Sequence, residues 1–221
     1  MTKESKNEFI EFMLEANVLK FGNFIGKSGR ETPYFINTGF YNDGNCIERL
    51  GRYYAGCLEE HVKMKIDTIF GPSYKGIPLA VGTALAMKIS YGKNIHFSFN
   101  RKEAKDHGEG GLVVGYVPKD GDNVVIVEDV ITSGISINES IAILKSIANV
   151  NILAIIISVD RMERGNSEIS AVEEIREKYN IPVYSIINIK DVVEYIYFEK
   201  KDGRLFINEE MKGKILGRIL E

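Results

Sequence analysis

Two adjacent carboxylates, Glu128 and Asp129, are the residues whose types and spacing point most clearly to chemistry. They follow four consecutive apolar β-formers at 124–127, which are typical of a strand buried on both faces, so they stand where that strand leaves its sheet. A turn rich in hydroxyl groups, 132–136, then leads into an apolar pattern at helical spacing. The carboxylates can accept hydrogen bonds from vicinal hydroxyls, and the free N–H groups of the helix start can bind a phosphate. A ligand with both features is a sugar phosphate.

The ordinary interpretation of this segment is a strand-to-helix turn with a polar N-cap, and the segment alone does not exclude it. Two features favour a ligand site. The adjacent negative charges repel each other unless a ligand or a cation occupies them. The turn also carries more hydroxyl groups than a helix cap needs.

Two further loops that follow predicted strands carry a cation. Segment 71–76 combines glycines, which permit tight backbone geometry, with Lys75, and its position before a helix predicts a second anion-binding turn. The loop that begins at Asp160 contains Arg161, which can form a bidentate pair with a carboxylate or a phosphate. The alternatives are a solvated lysine in a Gly/Pro turn, and an arginine paired with Asp160 or Glu163.

A third loop, 100–112, is long for a compact domain and carries Arg101, Lys102, Lys105 and His107. Loops of this length are usually functional or disordered. The clustered cations and the glycines that follow them predict a lid that closes over a polyanionic phosphate. The alternative is a solvated β-hairpin tip of mixed charge.

Short apolar segments alternate with helical patterns along most of the chain. Strands are predicted at 34–36, 67–70, 95–99, 123–127, 152–159 and 183–187. Helices are predicted from the N-terminal region to about residue 19 and at 47–58, 77–88, 135–148, 167–179, 190–200 and 208–220. This alternation predicts an α/β fold with βαβ units and a mostly parallel sheet, whose ligand lies at the carboxyl ends of the strands.

Length and composition narrow the class of protein. The 221 residues suffice for one substantial core, and no linker or repeat divides them. A net charge of −3 argues against a general nucleic-acid binder. Two cysteines make no disulfide framework, and with no secretory segment in view we expect a cytoplasmic protein. No apolar run approaches the ~20 residues that span a membrane.

Several common sites are absent from the sequence. No G-x-G-x-x-G follows a strand, which argues against a nicotinamide cofactor, and no Cys/His cluster points to zinc. Segment 22–28 resembles a P-loop but has one residue too few between its glycines and is apolar where a phosphate needs free N–H groups. We therefore do not predict ATP hydrolysis, although Lys27 and Arg30 remain candidates for anion contacts.

Together these segments resemble a known family. Segment 125–134 is similar to the phosphoribosyl-pyrophosphate signature of type I phosphoribosyltransferases. Segments 27–35, 71–80 and 99–110, with the loop that contains Arg161, resemble orotate phosphoribosyltransferases in the same order, over roughly residues 9–195. The resemblance implies transfer of the 5-phosphoribosyl group from 5-phosphoribosyl 1-pyrophosphate (PRPP) to orotate, giving orotidine 5′-monophosphate and pyrophosphate in pyrimidine synthesis.

The resemblance also implies an architecture and partners. The type I fold is a central, mostly parallel sheet flanked by helices, with a small N-terminal hood. Mapped onto this chain it gives a single domain, 1–221, with a hood at about 1–44, a core at about 45–190 and C-terminal helices at 190–221. A homodimer is implied, in which the lid loop, 100–114, closes over the neighbouring subunit's site. Mg²⁺ is expected to be held mainly by PRPP, with the acidic pair at most in its outer shell.

Residue roles are carried over by position. The PRPP set is Lys27, Tyr74, Lys75, Arg101, Lys102, Lys105, His107, Glu128, Asp129, Val130, Ile131, Thr132, Ser133, Gly134, Ile135 and Ser136. The orotate set is Lys27, Phe35, Ile36, Thr132 and Arg161, with the arginine facing the base carboxylate. The catalytic set is Lys102, Lys105, His107 and Asp129.

The sequence departs from the family pattern at two positions, and two rival functions stay open. Glu128 stands where aspartate is frequent, and Ile36 where an aromatic residue is common. The resemblance implies a cis peptide between Ser73 and Tyr74. The rivals are a phosphoribosyltransferase for another base, such as a purine, and a regulator that senses PRPP without catalysis.

Overall fold

The computed structural model describes residues 1–25, 31–105, 111–165, 167–198, 200–201 and 204–219. The strands are β1 Leu19–Ile25, β2 Glu31–Ile36, β3 Thr68–Gly71, β4 His96–Lys105, β5 Gly111–Gly115, β6 Asn123–Glu128, β7 Asn151–Asp160, β8 Val183–Asn188, β9 Lys200–Lys201 and β10 Arg204–Leu205. The helices are α1 Lys3–Glu15, α2 Gly44–His61, α3 Gly76–Tyr91, α4 Ile135–Ile147, α5 Ala171–Tyr179, α6 Ile189–Phe198 and α7 Glu209–Leu216, and a 3₁₀ turn spans Thr38–Phe40.

A six-stranded sheet in the order β5-β4-β3-β6-β7-β8 forms the centre of the fold. All neighbouring pairs are parallel except β4 and β5, which are antiparallel. This confirms the predicted α/β fold with a mostly parallel sheet. Because parallel strands share one carboxyl edge, the loops after β3, β6 and β7 emerge side by side.

Helices cover both faces of this sheet. Val125 and Val127 point into one apolar cluster, which includes residues of α1, α2, α3 and α6. Val124 and Ile126 point into a second cluster, formed with α4 and α5. All four valine and isoleucine side chains are fully buried, which explains why this strand is continuously apolar instead of alternating.

A separate two-stranded antiparallel sheet, β1 with β2, precedes the core and packs against α1 and α7. The strand β1 was not predicted, because glycine interrupts its apolar pattern. The N-terminal helix ends at Glu15, so its predicted extension to about residue 19 was wrong. Asn17 takes a positive φ of 58°, and this left-handed conformation ends the helix and turns the chain into β1.

Other boundaries also differ from prediction. Residues 100–105 continue β4 and pair with the unpredicted β5, so this part of the predicted loop forms the arms of a β-hairpin. Helix α5 begins at Ala171, four residues later than predicted, because Ser170 and Glu173 form a capping box there. Helix α7 ends at Leu216. Among the described residues, no helix combines the length and apolar character needed to cross a membrane.

Glycine lets α2 and α3 cross closely. A Cβ on Gly51 of α2 would lie 2.4 Å from the carbonyl oxygen of Gly82 in α3.

We expect Gly51→Ala to lower the free energy of unfolding by about 1–3 kcal/mol, because the backbone of Gly82 cannot move aside as easily as a side chain can. Gly56→Ala, in the same helix, meets only the Tyr91 hydroxyl at 3.8 Å, and we expect it to be neutral or stabilising by about 0.5–1 kcal/mol. Urea unfolding of both variants checks this, and equal losses would contradict the close crossing.

Candidate active site

The acidic pair lies at the carboxyl end of β6 and is almost completely buried. Glu128 is 6% exposed and Asp129 is 8% exposed. The Thr38 hydroxyl donates to Asp129 Oδ2 at 2.5 Å, and Lys75 Nζ lies 3.0 Å from the same oxygen. The Ser136 hydroxyl donates to Glu128 Oε2 at 2.5 Å. Groups from three other elements therefore hold the two carboxylates, as the predicted repulsion between them requires.

Burial and mutual repulsion shift the acidity of this pair. Burial, followed by the negative charge of Asp129, raises the pKa of Glu128 from 4.5 to about 7. The hydroxyl of Ser136 and the backbone N–H of Asp129 act in the opposite direction, because both donate to the ionised form. A ligand that donates hydrogen bonds to this carboxylate would favour its ionised form and lower its pKa.

The hydroxyl-rich turn joins this pair to the N-terminus of α4. Gly134 is the N-cap with a φ of 69°, a left-handed conformation that favours glycine. A cavity of about 250 Å³ is lined by the turn together with Ser73, Lys102, Glu128 and Glu139. The cavity therefore combines the free N–H groups of a helix start with a lysine, which suits a phosphate.

The loop after β3 lies next to Asn100 of β4. The Ser73 N–H donates to the side-chain oxygen of Asn100 at 2.9 Å, and the Ser73 hydroxyl donates to its backbone carbonyl. The peptide between Ser73 and Tyr74 is cis, which confirms the expectation from the resemblance. Gly71 and Gly76 close the loop, since a Cβ on Gly71 would lie 2.0 Å from the carbonyl oxygen of Gly76. Tyr74 and Lys75 are held at the rim, where both are exposed.

Two of the predicted lid cations are described. Arg101 has a buried Nη1 atom without a hydrogen-bond partner among the described residues. Lys102 lies on the cavity of the acidic pair, with its Nζ 3.6 Å from Glu139 Oε2. The side chain of Lys105, and His107 and Lys27 entirely, lie outside the described residues. Two donors for an anion are thus placed at the end of β4, beside the loop after β3.

The loop after β7 brings Arg161 to the β1–β2 hairpin. Its Nε donates to the Tyr34 hydroxyl at 3.1 Å, and its Nη2 lies 2.8 Å from Glu163 Oε2. The alternative pairing of this arginine with Glu163 is therefore present, while Asp160 instead accepts from the N–H of Met162. Burial would lower the pKa of the Arg161 guanidinium, but Tyr34 and Glu163 raise it above its ordinary value.

The predicted base-binding residues Phe35 and Ile36 lie on β2, next to Tyr34. Phe35 is 41% exposed, and its ring stacks on Phe24 at 5.6 Å. Ile36 is partly buried against the core. An aromatic surface and a guanidinium thus lie on neighbouring parts of the hood and of the sheet edge.

Sequence reasoning missed Thr38, Tyr34 and Arg218 as site neighbours. Thr38 sits in a glycine-punctuated segment with no local signal, and Arg218 follows the last helix. Tyr34 was recognised only as part of a strand. Their partners are far away in the sequence, so only the fold reveals them.

Comparison with known proteins identifies relatives along nearly the whole chain. Residues 39–183 match the family model described as phosphoribosyl transferase domain. The orotate phosphoribosyltransferase of Clostridium beijerinckii is 49% identical over 96% of this chain and 95% of its own length. That of Lachnoclostridium phytofermentans is 46% identical over the same shares. A crystal structure of orotate phosphoribosyltransferase from Francisella tularensis superposes with a TM-score of 0.81 at 36% identity, covering 95% of this chain and 96% of the other.

The raised pKa of Glu128 predicts how stability depends on pH. The folded pKa, about 7, exceeds the unfolded value of 4.5, so the folded chain binds the extra proton and its stabilisation is lost as pH rises through about 7. We expect Glu128→Gln to remove this loss. Between pH 5 and pH 8 the free energy of unfolding of the variant should therefore rise by roughly 2 kcal/mol relative to that of wild type.

Chemical unfolding at several pH values measures the effect. Glu139→Gln is the matched control, because this glutamate lies on the same cavity but is half exposed. Parallel pH profiles for wild type and Glu128→Gln would show that the carboxyl of Glu128 titrates normally.

Proposed function

The chain belongs to the orotate phosphoribosyltransferase family, and from this premise we propose that it transfers the 5-phosphoribosyl group of PRPP to orotate. The products are orotidine 5′-monophosphate and pyrophosphate, in pyrimidine biosynthesis. The observation that carries the proposal is the meeting, at one edge of the sheet, of a buried acidic pair, a helix start and cationic loops.

The acidic pair binds the ribose in this proposal. The 2- and 3-hydroxyls of PRPP donate to Glu128 and Asp129, on the oxygens that the hydroxyls of Thr38 and Ser136 contact. Ser136, released from Glu128, joins the other residues of the turn, 130–135, in binding the 5-phosphate.

Cations stabilise the leaving group. Breaking the bond between ribose C1 and pyrophosphate leaves negative charge on the pyrophosphate and positive charge on the ring, so the site needs electrostatic stabilisation and not a nucleophile. In this proposal the role falls to Tyr74 and Lys75, which follow β3, and to Arg101 and Lys102, which lie in the neighbouring strand β4. Lys105 and His107 complete the catalytic set with Lys102 and Asp129, and closure of their loop excludes water that would otherwise capture the sugar.

Mg²⁺ is the proposed cofactor, and the residues present fit a limited share of its coordination. Mg²⁺ takes six oxygen ligands and keeps several waters. The edge of the sheet supplies two carboxylates, and Oδ2 of Asp129 already has Thr38 and Lys75 as neighbours. The oxygens of PRPP would therefore supply most of the ligands of Mg²⁺, and Glu128 and Asp129 would contact it at most through water. When bound, Mg²⁺ would supply positive charge to the pyrophosphate that leaves.

Orotate is bound between the hood and the loop after β7. Phe35, Ile36 and Thr132 line the pocket for the base in this proposal. Lys27, which lies outside the described residues, is the lysine expected to reach the orotate and pyrophosphate region. Arg161 faces its carboxylate, since a planar guanidinium matches a carboxylate in a bidentate pair. A purine has no carboxylate for this arginine, which favours orotate over the rival bases.

A homodimer is the proposed assembly, with the lid loop, 100–114, reaching the neighbouring subunit's site. An apolar row on α3 supports a second copy as the partner: Val81, Leu85 and Ile89 recur at helical spacing, and the last two are 57% and 74% exposed. Light scattering tests the assembly, since a mass twice the 24.9 kDa of one chain is expected. A single-chain mass for the active enzyme would contradict the shared lid.

A cytoplasmic location is the proposed one, and it fits the two cysteines, which form no disulfide.

The function is tested by mixing the chain with PRPP, Mg²⁺ and orotate and following the loss of orotate's ultraviolet absorbance. We expect rapid loss that depends on both PRPP and Mg²⁺. Parallel reactions with uracil, hypoxanthine and guanine should give little nucleotide. Turnover of a purine instead would assign the chain to another base, and PRPP binding without turnover of any base would assign it to sensing.

A further inference from the structure

Glu163 lies at the centre of a four-residue ionic cluster, together with Tyr34, Arg161 and Arg218. Its Oε1 atom accepts three hydrogen bonds: from the Tyr34 hydroxyl at 2.8 Å, from Arg161 Nη2 at 3.1 Å and from Arg218 Nε at 3.1 Å. The charged side chains are 21–29% exposed and Tyr34 is buried. Screening by water is therefore limited, and the charges in this cluster influence each other strongly.

The second guanidinium changes the charge that Arg161 presents. Arg161 and Glu163 alone form a neutral pair, and Glu163 repels any further carboxylate that approaches. With Arg218 the cluster contains two positive charges and one negative charge, which leaves one positive charge. Arg161 engages Glu163 through Nη2 and Tyr34 through Nε, while its Nη1 has no hydrogen bond to the described residues. The Nη1 side of its guanidinium is therefore the side that can pair with a further carboxylate.

Arg218 also fixes the hood to this cluster. Its Nη1 donates to the carbonyl oxygen of Glu31 at 2.7 Å. Glu31 is the first residue of β2, the strand that contains Tyr34 and Phe35. One side chain beyond α7 thus connects the acid that contacts Arg161 with the strand that contacts the base.

We infer that Arg218 is a positioning residue for carboxylate-bearing bases and nucleotides. Because Glu163 also pairs with Arg218, it does not fully neutralise the charge of Arg161. Arg161 can therefore bind a second carboxylate, that of orotate or of orotidine 5′-monophosphate. Arg218 acts through Glu163 and does not contact the substrate. The inference rests on the proposed function, because the role of Arg161 does.

Steady-state kinetics test this role. Arg218→Met should raise the KM for orotate about tenfold, which is about 1.4 kcal/mol of binding, while the KM for PRPP and kcat stay within about twofold. Arg218→Lys should retain most of the affinity, because it keeps the charge. Lys214→Met is the matched control on α7, since Lys214 is exposed and pairs only with Glu210 among the described residues. It should leave every constant unchanged.

Product inhibition separates this role from a purely structural one. Orotidine 5′-monophosphate bears the carboxylate and uridine 5′-monophosphate lacks it, so Arg218→Met should weaken inhibition by the first about tenfold and leave the second unchanged. Adding Glu163→Gln should restore the KM for orotate, because no negative charge then opposes the substrate. Thermal unfolding confirms that each variant is folded.

Three results would overturn the inference. The first is an unchanged KM for orotate in folded Arg218→Met, and the second is an equal loss of inhibition by orotidine 5′-monophosphate and by uridine 5′-monophosphate in that variant. The third is a KM for orotate that stays raised when Glu163→Gln is added. Failure of the proposed function has a different readout, since wild type itself would then consume no orotate, and the inference would fall with it.

Discussion

The burial of two adjacent carboxylates at the end of β6 is the constraint on which the rest of the site depends. Two buried like charges are unfavourable unless hydrogen bonds and a cation compensate them. The compensation comes from the 3₁₀ turn through Thr38, from the loop after β3 through Lys75 and from the start of α4 through Ser136. Elements that are far apart in sequence are thereby held at one edge of the sheet, which is where a sugar with vicinal hydroxyls fits.

Around this pair the charges are separated by task. In the proposed complex, acidic oxygens face the ribose, N–H groups of a helix start face the 5-phosphate, and the cations after β3 and within β4 face the departing pyrophosphate. A third group, the guanidiniums of Arg161 and Arg218 around Glu163, lies at the hood. A reaction that develops opposite charges on its two fragments needs this separation, because cations spread evenly over the site would also oppose the positive ring.

The sequence predicted features that local patterns encode. The strand β6, the acidic pair and helix α4 follow one another within a short segment, and a continuously apolar run at 124–127 predicts a strand buried on both faces. Local sequence patterns gave no correct prediction where contacts between distant residues determine the structure. Leu19 looks like the end of a helix, but Asn17 turns the chain and β2 pairs with the segment that follows. Nothing near Thr38 or Arg218 in the sequence indicates that Asp129 and Glu163 are their partners.

In the proposed complex, the ribose hydroxyls of PRPP take the places of the Thr38 and Ser136 hydroxyls on the acidic pair. A crystal structure with PRPP and Mg²⁺ measures this directly. We predict that the ribose 2- and 3-hydroxyl oxygens lie at hydrogen-bond distance, about 2.5–3.0 Å, from Glu128 and Asp129, with Ser136 turned to the 5-phosphate. A ribose bound elsewhere, with both carboxylates still on Thr38 and Ser136, would contradict it.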